Sequence, residues 1–162
     1  MRFLRFATSV LLGFGSAYGY CASPSPHGWW SASNSPLTIN GNRPVFGESW
    51  YVIARGSSVC AVRANHMNGT LSGMRIYRGM LENGHMALYK GPVILGAYSD
   101  DPQLAKFIPV DPYHFFVGSA SLVLRLQLPG ERANRFILLW RHGDVPDDPD
   151  VLKAAARCNV PN

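Results

Sequence analysis

At 162 residues the chain has room for one domain with a modest core, and 47% hydrophobic against 15% charged residues excludes a charge-driven disordered chain or a long coiled coil. Sixteen Gly, 12 Pro, four Trp, seven Tyr and eight Phe favour strands and turns over a helical bundle. The formal charge of +5 is thinly spread, and beyond the first five residues no basic cluster indicates nucleic acid.

Met1-Arg2-Phe3-Leu4-Arg5 carries two positive charges and is followed by an apolar run from Phe6 to Gly15, then by small residues. This three-part pattern predicts a secretory signal peptide and is too short for a membrane span. Ala17 and Gly19 stand three and one residues before Tyr20, so the expected signal is residues 1–19, with cleavage after Ala17 as the alternative. Tyr20 in front of Cys21 does not suit a lipid anchor. The expected product is secreted or periplasmic, has no transmembrane segment, and carries a formal charge of +3 once Arg2 and Arg5 are removed.

Residues 20–47, rich in Ser, Pro, Asn and Gly, read as an irregular N-terminal arm with a short strand near residue 38. Within it Trp29-Trp30 either cover an end of the core or form a binding platform. Residues 48–162 read as a single β-rich domain. Strands are expected over 49–55, 59–64, 71–78 and 85–90, the last after the Glu82-Asn83-Gly84 turn, with 92–95 extending or following it. Asp101-Pro102 can start one helical turn, and Pro109 and Pro112 make 108–117 an edge or bent strand. Leu122, Leu124, Leu126 and Leu128 alternate with Val123, Arg125 and Gln127, the pattern of a half-buried strand. Residues 135–141 are apolar on both faces, which predicts a central strand or one covered by the arm or by the C-terminal helix. Asp148-Pro149-Asp150 starts that helix, expected over 149–158. The fold class is mainly β: a small antiparallel β-sandwich or partly open barrel with a short C-terminal helix.

Cys21, Cys60 and Cys158 allow one disulfide and one remainder. Cys21–Cys158, joining the two ends of the processed chain, is the first choice; Cys60–Cys158 is the alternative. Asn68-Gly69-Thr70 is a glycosylation acceptor in a eukaryotic source.

His27, His66, His85, His114 and His142 show no zinc-protease pairing, and the cysteines lack the close spacing of zinc ligands, so neither a metal nor another cofactor is expected. A Gly-x-Ser-x-Gly elbow and a glycine-rich phosphate loop are both missing. The leading expectation is therefore an exported binding or interaction protein, more an effector, inhibitor or envelope accessory than an enzyme. Trp29, Trp30, Tyr113 and Arg141 are its candidate contacts, and a protein or glycan is preferred over nucleic acid as the partner.

The alternative is a secreted hydrolase. Pro129-Gly130, the flanking Arg132 and Arg135 and the apolar strand that follows resemble a short segment of small secreted fungal ribonucleases. That resemblance implies RNA phosphodiester cleavage by His, Glu and Arg, with His85, His114 or His142 converging with Glu48, Glu82 or Glu131. Tyr77-Arg78-Gly79 is similar to the opening strand signature of some ADP-ribosyltransferases, but no further element of that pattern follows.

Overall fold

Alternating side chains and tight turns build a series of long hairpins. The computed structural model describes residues 24–32, 35–36, 45–96 and 110–158. Its strands are β1 (Gly28–Ala32), β2 (Ser35–Pro36), β3 (Val45–Arg55), β4 (Ser58–Met67), β5 (Thr70–Glu82), β6 (His85–Leu95), β7 (Tyr113–Val117), β8 (Ser121–Leu126) and β9 (Arg135–Gly143), followed by helix α1 (Pro149–Ala155). Asn68-Gly69 and Asn83-Gly84 turn β4 into β5 and β5 into β6 with positive φ at both central residues, the geometry that Asn-Gly hairpins favour.

From β3 to β9 each strand pairs antiparallel with the next. β1 then pairs antiparallel with both β3 and β9, closing an eight-stranded barrel, and β2 adds to β3 outside that circuit. The fold is thus a mainly-β barrel with a short C-terminal helix, closed rather than partly open. Closure comes from a stretch whose composition predicted an irregular arm. Trp30 points into the barrel with 0% exposure, while half-buried Trp29 packs against the outer apolar cluster. Gly28, at φ 138°, lets β1 approach β9, where a side chain would meet the Gly143 carbonyl oxygen at 2.8 Å. The expected signal peptide (1–19), Cys21, the strand near 38 and the helical turn at 101–106 lie outside the described residues.

The barrel interior is filled. Trp50 sits among Tyr77, Phe115 and Tyr113, with ring centroids 4.8, 5.0 and 6.0 Å away, and Leu122, Leu124 and Leu139 complete the packing. Eight strands leave an interior of the width that side chains can fill. A second apolar cluster lies outside the barrel, where Val151, Ala154 and Ala155 of α1 cover Val62, Ala64, Met74 and Ile76. Asp148 caps the helix by accepting from the Asp150 amide at 2.9 Å, and Pro149 occupies its first turn, as expected from the sequence. Among the described residues no helix is long and apolar enough to cross a membrane.

The disulfide corrects the preferred pairing. Cys158 is joined to Cys60, with Cα atoms 5.8 Å apart, and so is not available to Cys21. Cys60 alternates outward with Val62, and the helix brings Cys158 down onto the same outer cluster. Because the bonded residues are 98 apart in sequence, opening the bridge frees a long loop. Cys158→Ser should therefore cost about 2–5 kcal/mol and loosen α1 from the barrel. Urea denaturation with and without reductant checks this, and an unchanged midpoint would mean that packing alone holds the helix.

Candidate active site

With Met86, Leu88, Tyr113 and Phe115 committed to the interior, the intervening residues of β6 and β7 face outward. The register places His85 opposite Phe116 and Ala87 opposite His114, so the two histidines are diagonal neighbours on that outer face. Their rings stack at 5.1 Å with 25° between planes, and His114 Nδ1 lies 3.1 Å from His85 Nε2 in a half-buried hydrogen bond. Phe116 leans against His85 at 5.5 Å. One strand further, Arg125 of β8 is the direct cross-strand partner of His114, and Phe136 of β9 is the partner of Arg125.

The electrostatics of this group follow from its placement. Burial first, then the Arg125 guanidinium and His85, lower the His114 pKa below the ordinary 6.5. His114 is accordingly neutral at neutral pH and able to accept a proton. One nitrogen of each ring is used in the mutual contact, which leaves His114 Nε2 and His85 Nδ1 outside it.

A second polar group lies inside one end of the barrel. Glu48 Oε1 accepts from the Trp50 indole at 2.6 Å, and Arg63 donates to Glu48 Oε2 at 3.2 Å. The Arg63 guanidinium sits over the rings of Trp50 and Tyr113 at 5.7 and 5.9 Å. Burial first, and the neighbouring Tyr77, hold the Tyr113 hydroxyl protonated above the usual phenol range, against the pull of Arg63. Glu48 is thus committed to two donors and Tyr113 to its neutral form, a set suited to holding strands together. Further pairs join Lys90 to Asp111 at 3.6 Å and His66 to Asp148 at 4.0 Å. Among the described residues no group of three or more His, Cys, Asp or Glu side chains is placed to hold a metal ion.

These contacts overturn the expectation of a binding protein without a catalytic set, and with it the leaning against an enzyme. Histidines that looked isolated in sequence, His85 and His114, are brought into hydrogen-bond contact beside an arginine. Glu48 with Arg63, Lys90 with Asp111 and His66 with Asp148 add charged side-chain pairs around the barrel. The ingredients match the hydrolase alternative, although His85 finds a histidine where a glutamate was expected and His142 stays apart at the end of β9.

Of the contacts named from sequence, Trp30 and Arg141 are brought together as cross-strand partners, whereas Trp29 faces the outer cluster and Tyr113 fills the interior. Trp30 is inside the barrel, its indole donating to the Pro26 carbonyl at 2.8 Å and the Arg141 guanidinium 5.7 Å from its ring. Tyr113 is buried 1% exposed, and Arg141 is ion-paired with Asp144. Asn68 lies in the exposed β4–β5 turn. Sequence reasoning passed over Arg125 and Phe136, although the alternation of leucines in β8 already set Arg125 on the solvent side. No protein-family model matches this chain, and neither does any curated protein sequence.

Proposed function

We propose that this protein is a hydrolase that cleaves phosphodiester bonds of the RNA type by acid–base chemistry. The observation that carries the reading is the His85–His114 contact beside Arg125 on an open face. Two imidazoles in series can take a proton at one end and return one at the other. His114 Nε2 accepts the proton of a ribose 2′-hydroxyl while its Nδ1 proton passes to His85 Nε2. The 2′-oxygen bonds to the adjacent phosphorus, the bond from phosphorus to the 5′-oxygen breaks, and His85 Nδ1 gives its proton to that leaving oxygen. The products are a 2′,3′-cyclic phosphate and a free 5′-hydroxyl. Water entering in place of the alcohol opens the cyclic phosphate by the reverse proton path. Arg125 offers a planar, permanently charged donor to the phosphoryl oxygens as negative charge builds on them.

The reading places the enzyme in a secreted or periplasmic setting. The expected signal segment supports export, and a disulfide such as Cys60–Cys158 persists in oxidising compartments. The partner becomes a nucleic-acid substrate in place of a protein or glycan.

The direct test uses the disulfide-bonded protein and a dinucleoside monophosphate carrying a 2′-hydroxyl. Turnover to the cyclic phosphate is expected, and the 2′-deoxy analogue should be inert. No turnover, or turnover that survives replacement of both His85 and His114 by Gln, overturns the assignment.

A further inference from the structure

Strand β9 is apolar on both faces, and neither β1 nor α1 covers the outer one. Phe136, Leu138 and Trp140 are 62%, 42% and 51% exposed, and Phe116 on β7 is 45% exposed. The register arranges them around the candidate site. Phe116, Val123 and Leu138 form one cross-strand row, and His114, Arg125 and Phe136 form the next. Adjacent strands are about 4.8 Å apart and alternate residues nearly 7 Å apart along a strand, so Phe136 and Trp140 are spaced roughly 13 Å along β9.

The charge of this surface is one-sided. On the outer register of β6, β7, β8 and β9 stand Arg125, His85, His114 and His142 with no Asp or Glu in the strands, whereas Lys90, Arg135 and Arg141 fall on the inner register and pair with Asp111, Glu131 and Asp144. Exposed aromatic rings beside the Arg125 guanidinium and the histidines complement a polyanion that has flat apolar faces to offer. A nucleic-acid strand has both, but only when its bases are unpaired, since pairing hides their faces within the stack. A continuous exposed apolar patch on a folded domain marks a binding surface.

We infer that the outer face of β7–β9 holds the substrate as an unpaired strand, with bases stacked on Phe136 and Trp140 and a phosphate at Arg125 beside the histidine pair. This deepens the phosphodiesterase reading and rests on it for the position of the scissile phosphate. Stacking is tolerant of base identity, so the face selects single-stranded over duplex RNA more than one sequence over another.

The experiment separates this inference from the activity on which it rests. Wild-type turnover of a dinucleoside monophosphate reports on the phosphodiesterase reading by itself. Binding is measured separately, by anisotropy of a labelled, non-cleavable 2′-O-methyl oligonucleotide and by quenching of tryptophan fluorescence. The unpaired oligonucleotide should bind more tightly than its duplex. Phe136→Ala and Trp140→Ala should each weaken binding roughly five- to a hundredfold, the range of single base–aromatic stacks, while Trp140→Phe retains most of it. Equal affinity for duplex and single strand, or undiminished binding by both alanine variants, overturns the inference even if the dinucleotide is cleaved. Light scattering that shows a dimer dissociated by Trp140→Ala, with no oligonucleotide bound, assigns the face to a second copy and likewise overturns it. Stacking-dependent binding of the unpaired strand without dinucleotide turnover upholds the surface and removes the phosphodiesterase reading.

Discussion

Replacing His114 with Gln should lower kcat/KM for a dinucleoside monophosphate by about 10²–10⁴-fold, the usual contribution of a positioned acid or base. The ring lies on the outer face and its removal opens no core cavity, so the folding free energy should change by no more than about 0.5 kcal/mol. The pH profile gives the sharper reading. Burial, Arg125 and His85 all disfavour protonated His114, so its pKa lies below the ordinary 6.5. The acid limb of kcat/KM should therefore fall below the pH at which a free histidine titrates. Arg125→Ala removes one of the depressing causes, so the limb should move upward in pH while the rate also falls through loss of the phosphate contact. A rate loss with an unmoved limb would place Arg125 at the substrate alone; a limb at the ordinary position in wild type would remove His114 as the base. Stability follows the same sign. As pH falls through this range the unfolded chain takes up the proton first, so acid destabilises the native state, and His114→Gln should lessen that part of the decline.

Much of the fold was legible because it rests on local chemistry. The alternating leucines of β8, the Asn83-Gly84 turn and the Asp148-Pro149 cap each announce one conformation, and each appears where the residues indicate. Closure of the barrel was not legible, because β1 lies in a Ser- and Pro-rich stretch and gains its partners from β3 and β9, far away in sequence. The histidine pair was hidden for the same reason. His85 and His114 are 29 residues apart, and only the β6–β7 register makes them neighbours. Cys158 was harder still: nearness of the chain ends favoured Cys21, and only the side of the barrel on which α1 docks gives it Cys60. Strand β9 misled in an informative way. Its two apolar faces implied cover on both sides, yet Phe136 and Trp140 are exposed, and the mismatch between pattern and burial marks a surface shaped for something other than packing.

Arg63→Met should be among the most damaging single changes in the protein, although Arg63 faces the barrel interior and the histidine pair the outside. Arg63 and Glu48 are side-chain partners on β4 and β3 at 3.2 Å, 17% and 15% exposed, and Glu48 also holds the Trp50 indole. Removing the arginine alone leaves a carboxylate largely cut off from water, which costs about 3–5 kcal/mol where ion pairs are well buried. Replacing Glu48 with Gln in the same chain takes away the stranded charge and keeps an acceptor for Trp50. The double variant should then recover a large part of the loss, giving a coupling energy of about 1–3 kcal/mol in a double-mutant cycle by urea denaturation. Met is long enough to keep apolar contact with the Trp50 and Tyr113 rings that Arg63 now covers, so the cycle reads mainly charge. A cost for Arg63→Met below about 1 kcal/mol would mean that the pair behaves as an exposed one. Because the interior pair takes no part in the proposed proton path, the folded fraction of Arg63→Met should turn over the dinucleotide at the wild-type rate. A proportionate loss of turnover per folded molecule would instead move the chemistry from the outer histidines to the barrel interior.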